Sequence, residues 1–174
     1  MTNGPIFTIS RVFNAPPDRV WQAWTEPNSI AAWLGPKGSL VHVVRHKLEV
    51  GGSLHSHITT EEGTELWGKF TYREITAPSR LVWGHCFADK DGNIVRHPWS
   101  PTWPLEMLTT VTFEKVMSDK TKVTLTWVPV ASNDAECKTF SDGMSDMQAG
   151  WGGSFDRLEA LLAKSKSPKL QSTT

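Results

Sequence analysis

Over residues 6–13 apolar, β-branched and aromatic residues alternate with polar ones, and this period of two predicts a first strand with one buried face. Pro16-Pro17-Asp18 comes next. Proline suits the first turn of a helix and an acidic residue favours its positive end, so a helix starts here, with Val20, Ala23 and Trp24 on its apolar side. A second short helix is predicted over 27–34, stopped by Gly35-Pro36. Strand patterns then return over about 39–50, 53–60, 64–75, 80–88, 105–116 and 121–129. The segments between them are turn-forming: Gly51-Gly52, Glu62-Gly63, Ala77-Pro78, Asp91-Gly92-Asn93 and Ser118-Asp119-Lys120. From Asn133 the spacing becomes helical. Phe140, Met144, Met147, Trp151, Phe155, Leu158 and Leu162 mark one continuous stripe, and Asn133 with Glu136 forms a capping box at its start. The Lys/Ser/Pro/Thr-rich tail over 164–174 is expected to fray.

The order is strand, two helices, six strands and a long helix, with no repeat and no internal linker. It predicts one α+β domain over 1–174, its core at about 6–163, in which a curved antiparallel sheet of about seven strands is covered by the terminal helix. Strand parity assigns the faces. Leu54, Ser56 and Ile58 share the inner one with Gly68, Phe70, Tyr72, Leu81, Trp83, His85 and Phe87, and later with Val111, Phe113, Val123, Leu125 and Trp127. The opposite parity is mostly threonine and charge, with His55 and His57 among it, and reads as the solvated side.

Composition narrows the function. The 174 residues carry 18 Lys+Arg against 18 Asp+Glu, so the chain lacks the basic footprint of a nucleic-acid or anionic-membrane binder. No apolar run approaches the ~20 residues that span a bilayer. Met1-Thr2-Asn3-Gly4-Pro5 has neither the basic region nor the apolar stretch of a secretory signal. Two cysteines, Cys86 and Cys137, make no disulfide framework or paired metal motif, and a cytoplasmic globule is the expectation.

Several short motifs now combine. Arg11-Val12-Phe13-Asn14-Ala15-Pro16 with Val20-Trp21, Trp33-Leu34-Gly35, Val50-Gly51-Gly52 and Gly68-Lys69-Phe70 with Glu74-Ile75 occur in that order. Arg80-Leu81-Val82-Trp83, Thr110-Val111-Thr112-Phe113-Glu114 and Gly150-Trp151-Gly152-Gly153-Ser154-Phe155-Asp156-Arg157-Leu158 follow. Over roughly 6–163 the chain resembles the bacterial proteins related to the C-terminal domain of the activator of heat-shock-protein ATPase, within the START-like (SRPBCC) helix-grip superfamily. The resemblance implies a helix-grip fold and a cavity between sheet and helix. It leaves function open among ligand carriage, co-chaperone activity and cyclase or aromatase chemistry. The chain begins directly at its first strand, without the N-terminal domain of the true activators, and this counts against the co-chaperone reading.

Individual residues carry less. His55-x-His57-x-x-x-Glu61 has the spacing of a cupin metal motif, with ligand types suited to Fe, Mn, Ni or Zn. No second such motif follows, so the reading is a solvated histidine pair and no metal. His85 shares the apolar face with Trp83 and Phe87 and is either a core imidazole or a group that orients a ligand. Ser56 and Tyr72 supply hydroxyls on the same face. Gly150, Gly152 and Gly153 weaken the long helix and imply close helix–sheet approach, or room above a chamber. Met144 and Met147 offer adaptable walls. His97-Pro98-Trp99-Ser100-Pro101-Thr102-Trp103-Pro104 is a stiff, tryptophan-bearing loop, suited to a lid or a partner contact. Opening of the terminal helix is expected over 134–150, while 155–162 stays docked.

The preferred reading is a helix-grip protein, monomeric or dimeric, that holds a small apolar or aromatic molecule without catalytic residue, cofactor or metal. Its cavity is expected to be walled by Phe70, Trp83, Phe113, Trp127 and Trp151, with Met144 and Met147 from the helix. Ser56, Tyr72 and His85 are its expected polar groups. The alternatives are a co-chaperone-like module that binds a protein, such as a chaperone, through Trp99 and Trp103, and a polyketide cyclase or aromatase acting through His85 and Tyr72.

Overall fold

A computed structural model describes residues 4–164; the tail expected to fray lies, apart from Lys164, outside the described residues. The elements run β1 (Phe7–Phe13), α1 (Pro17–Thr25), α2 (Pro27–Trp33), β2 (Leu40–His46), β3 (Ser53–Thr59), β4 (Glu65–Thr76) and β5 (Arg80–Ala88). They continue as β6 (Ile94–Val95), β7 (Met107–Met117), β8 (Lys120–Pro129), α3 (Asp134–Asp142) and α4 (Met144–Lys164). One antiparallel sheet has the order β1-β8-β7-β5-β4-β3-β2, with short β6 added beside β5. The class is α+β, and the sheet curves around α4. β6 was not anticipated, because two residues carry no readable period.

The second strand ends at His46, four residues before the expected 50. After it the chain turns so that Lys47 N–H reaches Ser53 O, while Gly51 N–H donates to Tyr72 O and Tyr72 N–H to Gly52 O. A Cβ on Gly52 would collide with the Lys47 carbonyl, and Gly51 sits at φ +85. The glycine pair therefore builds a loop that pairs with β4, rather than a tip beyond a longer strand.

The terminal helix is two helices, not one. Asn133 caps α3, its side chain accepting from Glu136 N at 2.8 Å as the capping box requires. Gly143 closes it, donating to Thr139 O and Phe140 O. The Trp103 ring lies 3.4 Å from the Cβ position of Gly143 and 5.8 Å, ring to ring, from Phe140. The loop before β7 thus packs onto the break, and that tertiary contact was invisible to a periodicity running across Gly143. Trp99 stays 64% exposed.

The core is one cluster between the inner sheet face and the helices. Trp24 on α1 is its hub: its ring lies 4.6 Å from Trp33, 5.8 Å from Phe113, 6.1 Å from Trp83, and 6.3 Å from both Trp151 and Phe155. Phe155, Leu158 and Leu162 complete the stripe on α4.

Close helix–sheet approach does not explain the α4 glycines. A Cβ at Gly150 or Gly152 would meet nothing within 4 Å, and at Gly153 only Lys37 at 3.6 Å. Gly152→Ala should accordingly stabilise the protein by about 0.5–1 kcal/mol, the propensity difference in a helix interior, measured by urea unfolding. A loss of stability would show that the glycine serves something other than the folded backbone.

Candidate functional site

Where α4 crosses β3, β4 and β5, side chains fail to meet and leave a pocket of about 240 Å³. Gly68 opens its floor. It pairs with Ser56 on β3 and Phe87 on β5, all three inward, and it alone contributes no side chain. A Cβ there would find only Cys86 O at 3.6 Å and His85 Nε2 at 3.7 Å. Ile58, Leu66, Phe70 and Phe87 form the apolar floor; Trp127 stands at one side and Met147, Gly150 and Trp151 of α4 form the roof. The rim is the turn Leu34-Gly35-Pro36.

That rim is bound to α4. Ser154 Oγ donates to Gly35 O at 2.9 Å, and Arg157 Nη1 donates to Gly35 O at 3.1 Å and Pro36 O at 3.0 Å. A guanidinium suits this task because its planar donors serve several carbonyls left open where α2 ends. The clamp holds the pocket mouth against the helix that roofs it.

Among the described residues His85 is the single titratable side chain on the pocket wall. Its ring sits edge-on to Phe70 at 4.8 Å and 5.3 Å from Trp127. Its Nδ1 is buried without a hydrogen-bond partner among the described residues, as is Trp127 Nε1. Burial among rings penalises the imidazolium and lowers the His85 pKa from 6.5 to about 4, so at neutral pH the ring is uncharged. The residue is half-buried and lines the pocket.

The structure brings Ser56, Phe70, His85, Trp127, Met147 and Trp151 together at this pocket. Tyr72 and Trp83 border a much smaller space beside it, of about 10 Å³, with Trp24 and Trp33. Trp83 stacks on Phe70 at 4.8 Å, and the Tyr72 hydroxyl shares a 3.0 Å hydrogen bond with His46 Nε2. Burial raises the Tyr72 pKa and lowers that of His46, so the pair is neutral and structural. Phe113 and Met144 stand apart from the pocket. Phe113 is covered by Trp21 at 5.5 Å and by Trp24, and Met144, at the start of α4, packs on the core.

Several wall residues escaped the sequence reading. Ile58, Leu66, Gly68 and Phe87 have the inward parity, and an inward glycine between two large neighbours was a readable sign of a hole. Leu34, Gly35 and Pro36 had no such sign, because a contact across some 120 positions leaves no local period.

The outer-face histidines also differ from expectation. His55 is only 6% exposed, because the hairpin after β5 folds back over it and its Nε2 donates to Asp89 O at 2.9 Å. His57 stacks on His42 at 4.7 Å and lies tilted against Trp67 at 4.4 Å. Glu61 turns away to lie against Gly38. Among the described residues no three His, Cys, Asp or Glu side chains converge as a metal would need.

This arrangement, a curved antiparallel sheet closed by a C-terminal helix over an aromatic pocket, coincides with a family match. The family model for Activator of Hsp90 ATPase homolog 1-like protein matches residues 14–163. The chain belongs to this family. Among solved structures, a protein from Arthrobacter aurescens shares the fold at a TM-score of 0.78 and 23% identity, over 97% of this chain and 92% of that one. A protein from Mycobacterium smegmatis superposes at a TM-score of 0.74 with 23% identity, over 90% of each chain. The AHSA1 protein from Silicibacter pomeroyi gives 0.67 at 16% identity, over 92% of this chain and 99% of that one. These identities speak for the fold alone. Among curated proteins none matches. As a family member the chain is a helix-grip protein, and none of its described helices is long and apolar enough to cross a membrane.

Proposed function

We propose that this protein is a cytoplasmic binding protein, a single domain acting as monomer or homodimer, that holds one small apolar or aromatic molecule between sheet and α4. The observation that supports it is the pocket of about 240 Å³ with no acidic, lysine or arginine side chain on its wall among the described residues. Its size lies just below the usual range for small-molecule sites, and its aromatic wall with a few polar groups is their usual composition. An empty apolar space in a core costs stability through lost packing, which binding would restore. Lone His85 faces no acid or base partner there, so holding a molecule ranks ahead of cyclase or aromatase chemistry.

The test is titration calorimetry with ethylnaphthalene, a neutral aromatic hydrocarbon. The expected result is saturable binding to one site, lost in Gly68→Val, whose side chain fills the floor where ordinary contact distances leave room. Absence of binding to the unaltered protein, or unchanged binding in the variant, would set the proposal aside.

A second reading draws on the exposed Trp99 and on the family description, which names an activator of Hsp90 ATPase. Exposed aromatic residues are frequent anchors of protein interfaces. An Hsp90-type ATPase should then turn over faster with this protein present, and Trp99→Ala should abolish the gain. No stimulation at high concentration would remove this reading.

A further inference from the structure

We infer that the pocket selects an uncharged aromatic molecule carrying a carbonyl oxygen, and that His85 Nε2–H and the Ser56 hydroxyl bind that oxygen beside Gly68. This rests on the binding proposed above and specifies the class of ligand.

The neutral ring of His85 holds one tautomer. Nδ1 is buried with no partner among the described residues. A buried N–H left without an acceptor is rarer and costlier than a buried lone pair, so the proton of the neutral ring belongs on Nε2. Nε2 lies 3.7 Å from the Cβ position of Gly68, at the open floor of the pocket. His85 therefore presents a donor to whatever fills that space.

Ser56 lines the same pocket and stands directly across from Gly68 in the β3–β4 register. Its hydroxyl has no hydrogen-bond partner among the described residues. Two free donors thus border one gap that a glycine keeps open. An oxygen with two lone pairs and no proton satisfies both, whereas a ligand hydroxyl must also place its own hydrogen.

Among the described residues no cationic side chain lines the pocket, and the burial that keeps His85 neutral offers a carboxylate no counter-ion. The remaining wall is rings and aliphatic groups, with Phe70, Trp127 and Trp151 placed to pack on a planar body.

The experiment compares acetylnaphthalene, ethylnaphthalene and naphthoate by calorimetry at neutral pH. The ketone should bind roughly three- to tenfold tighter than the hydrocarbon, the increment of a hydrogen bond made in a dry site, and naphthoate weakest. His85→Phe should abolish the preference for the ketone over the hydrocarbon, and His85→Gln, which keeps an N–H donor, should retain part of it. Equal binding of ketone and hydrocarbon to the unaltered protein would overturn the inference while leaving the pocket as a binding site. Tightest binding of naphthoate would overturn the claim of an uncharged ligand. If none of the three binds, the proposed function falls as well.

Discussion

Trp24→Ala should lower the unfolding free energy by about 3–5 kcal/mol, the upper range for a buried large-to-small change. Trp24 is 4% exposed and its ring is surrounded by Trp33, Trp83, Phe113, Trp151 and Phe155, drawn from α2, β5, β7 and α4. A single truncation therefore loosens four elements at once, and none of those large rings can collapse into the void without leaving its own packing. The indole nitrogen has no hydrogen-bond partner among the described residues, so the loss is one of packing and not of a hydrogen bond. Trp24→Phe keeps most of the ring contacts and relieves the orphaned N–H, and it should cost about 1–2 kcal/mol. Urea unfolding checks both. A loss of only about 1 kcal/mol for the alanine variant would show that the aromatic cluster repacks around the gap.

The second large effect concerns acid. His85 has its pKa lowered from 6.5 to about 4 by burial. Between those values the unfolded chain takes up a proton at this residue that the folded protein refuses, so the unfolded state gains. The contribution is fully present above pH 6.5 and is lost as pH falls toward about 4, at roughly 1.4 kcal/mol per pH unit, or about 3 kcal/mol over the window. His46 and His97, also lowered by burial, act in the same direction. The carboxylates of Asp89 and Asp156 are lowered too, Asp89 chiefly by its bonds from Asn93 and Asp156 by those from Lys37 and Arg11, and they lose their contribution at lower pH. His85→Phe removes the His85 share alone. Its stability profile between pH 7 and pH 4 should therefore be flatter than that of the unaltered protein by about 3 kcal/mol. Parallel profiles would mean that the ring is hydrated through the pocket and titrates normally.

Much of this architecture was legible locally. Period-two alternation and the turn residues placed every long strand, and parity put Phe70, Trp83, His85 and Trp127 on one face before any contact was known, because side chains in a strand must alternate. The capping box at Asn133 is a three-residue bond and was equally readable. The pocket was legible only in part. Ser56, His85 and Trp127 share an inward parity, but parity does not say whether a neighbouring helix fills the space they face.

What the tertiary structure alone decided was distance across the chain. Trp103 rests against Gly143, so a helical stripe that runs through the glycine in sequence breaks there in space. Arg157 reaches Gly35 and Pro36, which makes an ordinary turn the rim of the pocket. The hairpin after β5 covers His55, a residue that strand parity alone assigned to water. Local patterns encode backbone preference and the sidedness of each element, since those depend on neighbours along the chain. The depth of a cavity and the cover over a face depend on how elements of different shape meet, and no window along the sequence contains both partners.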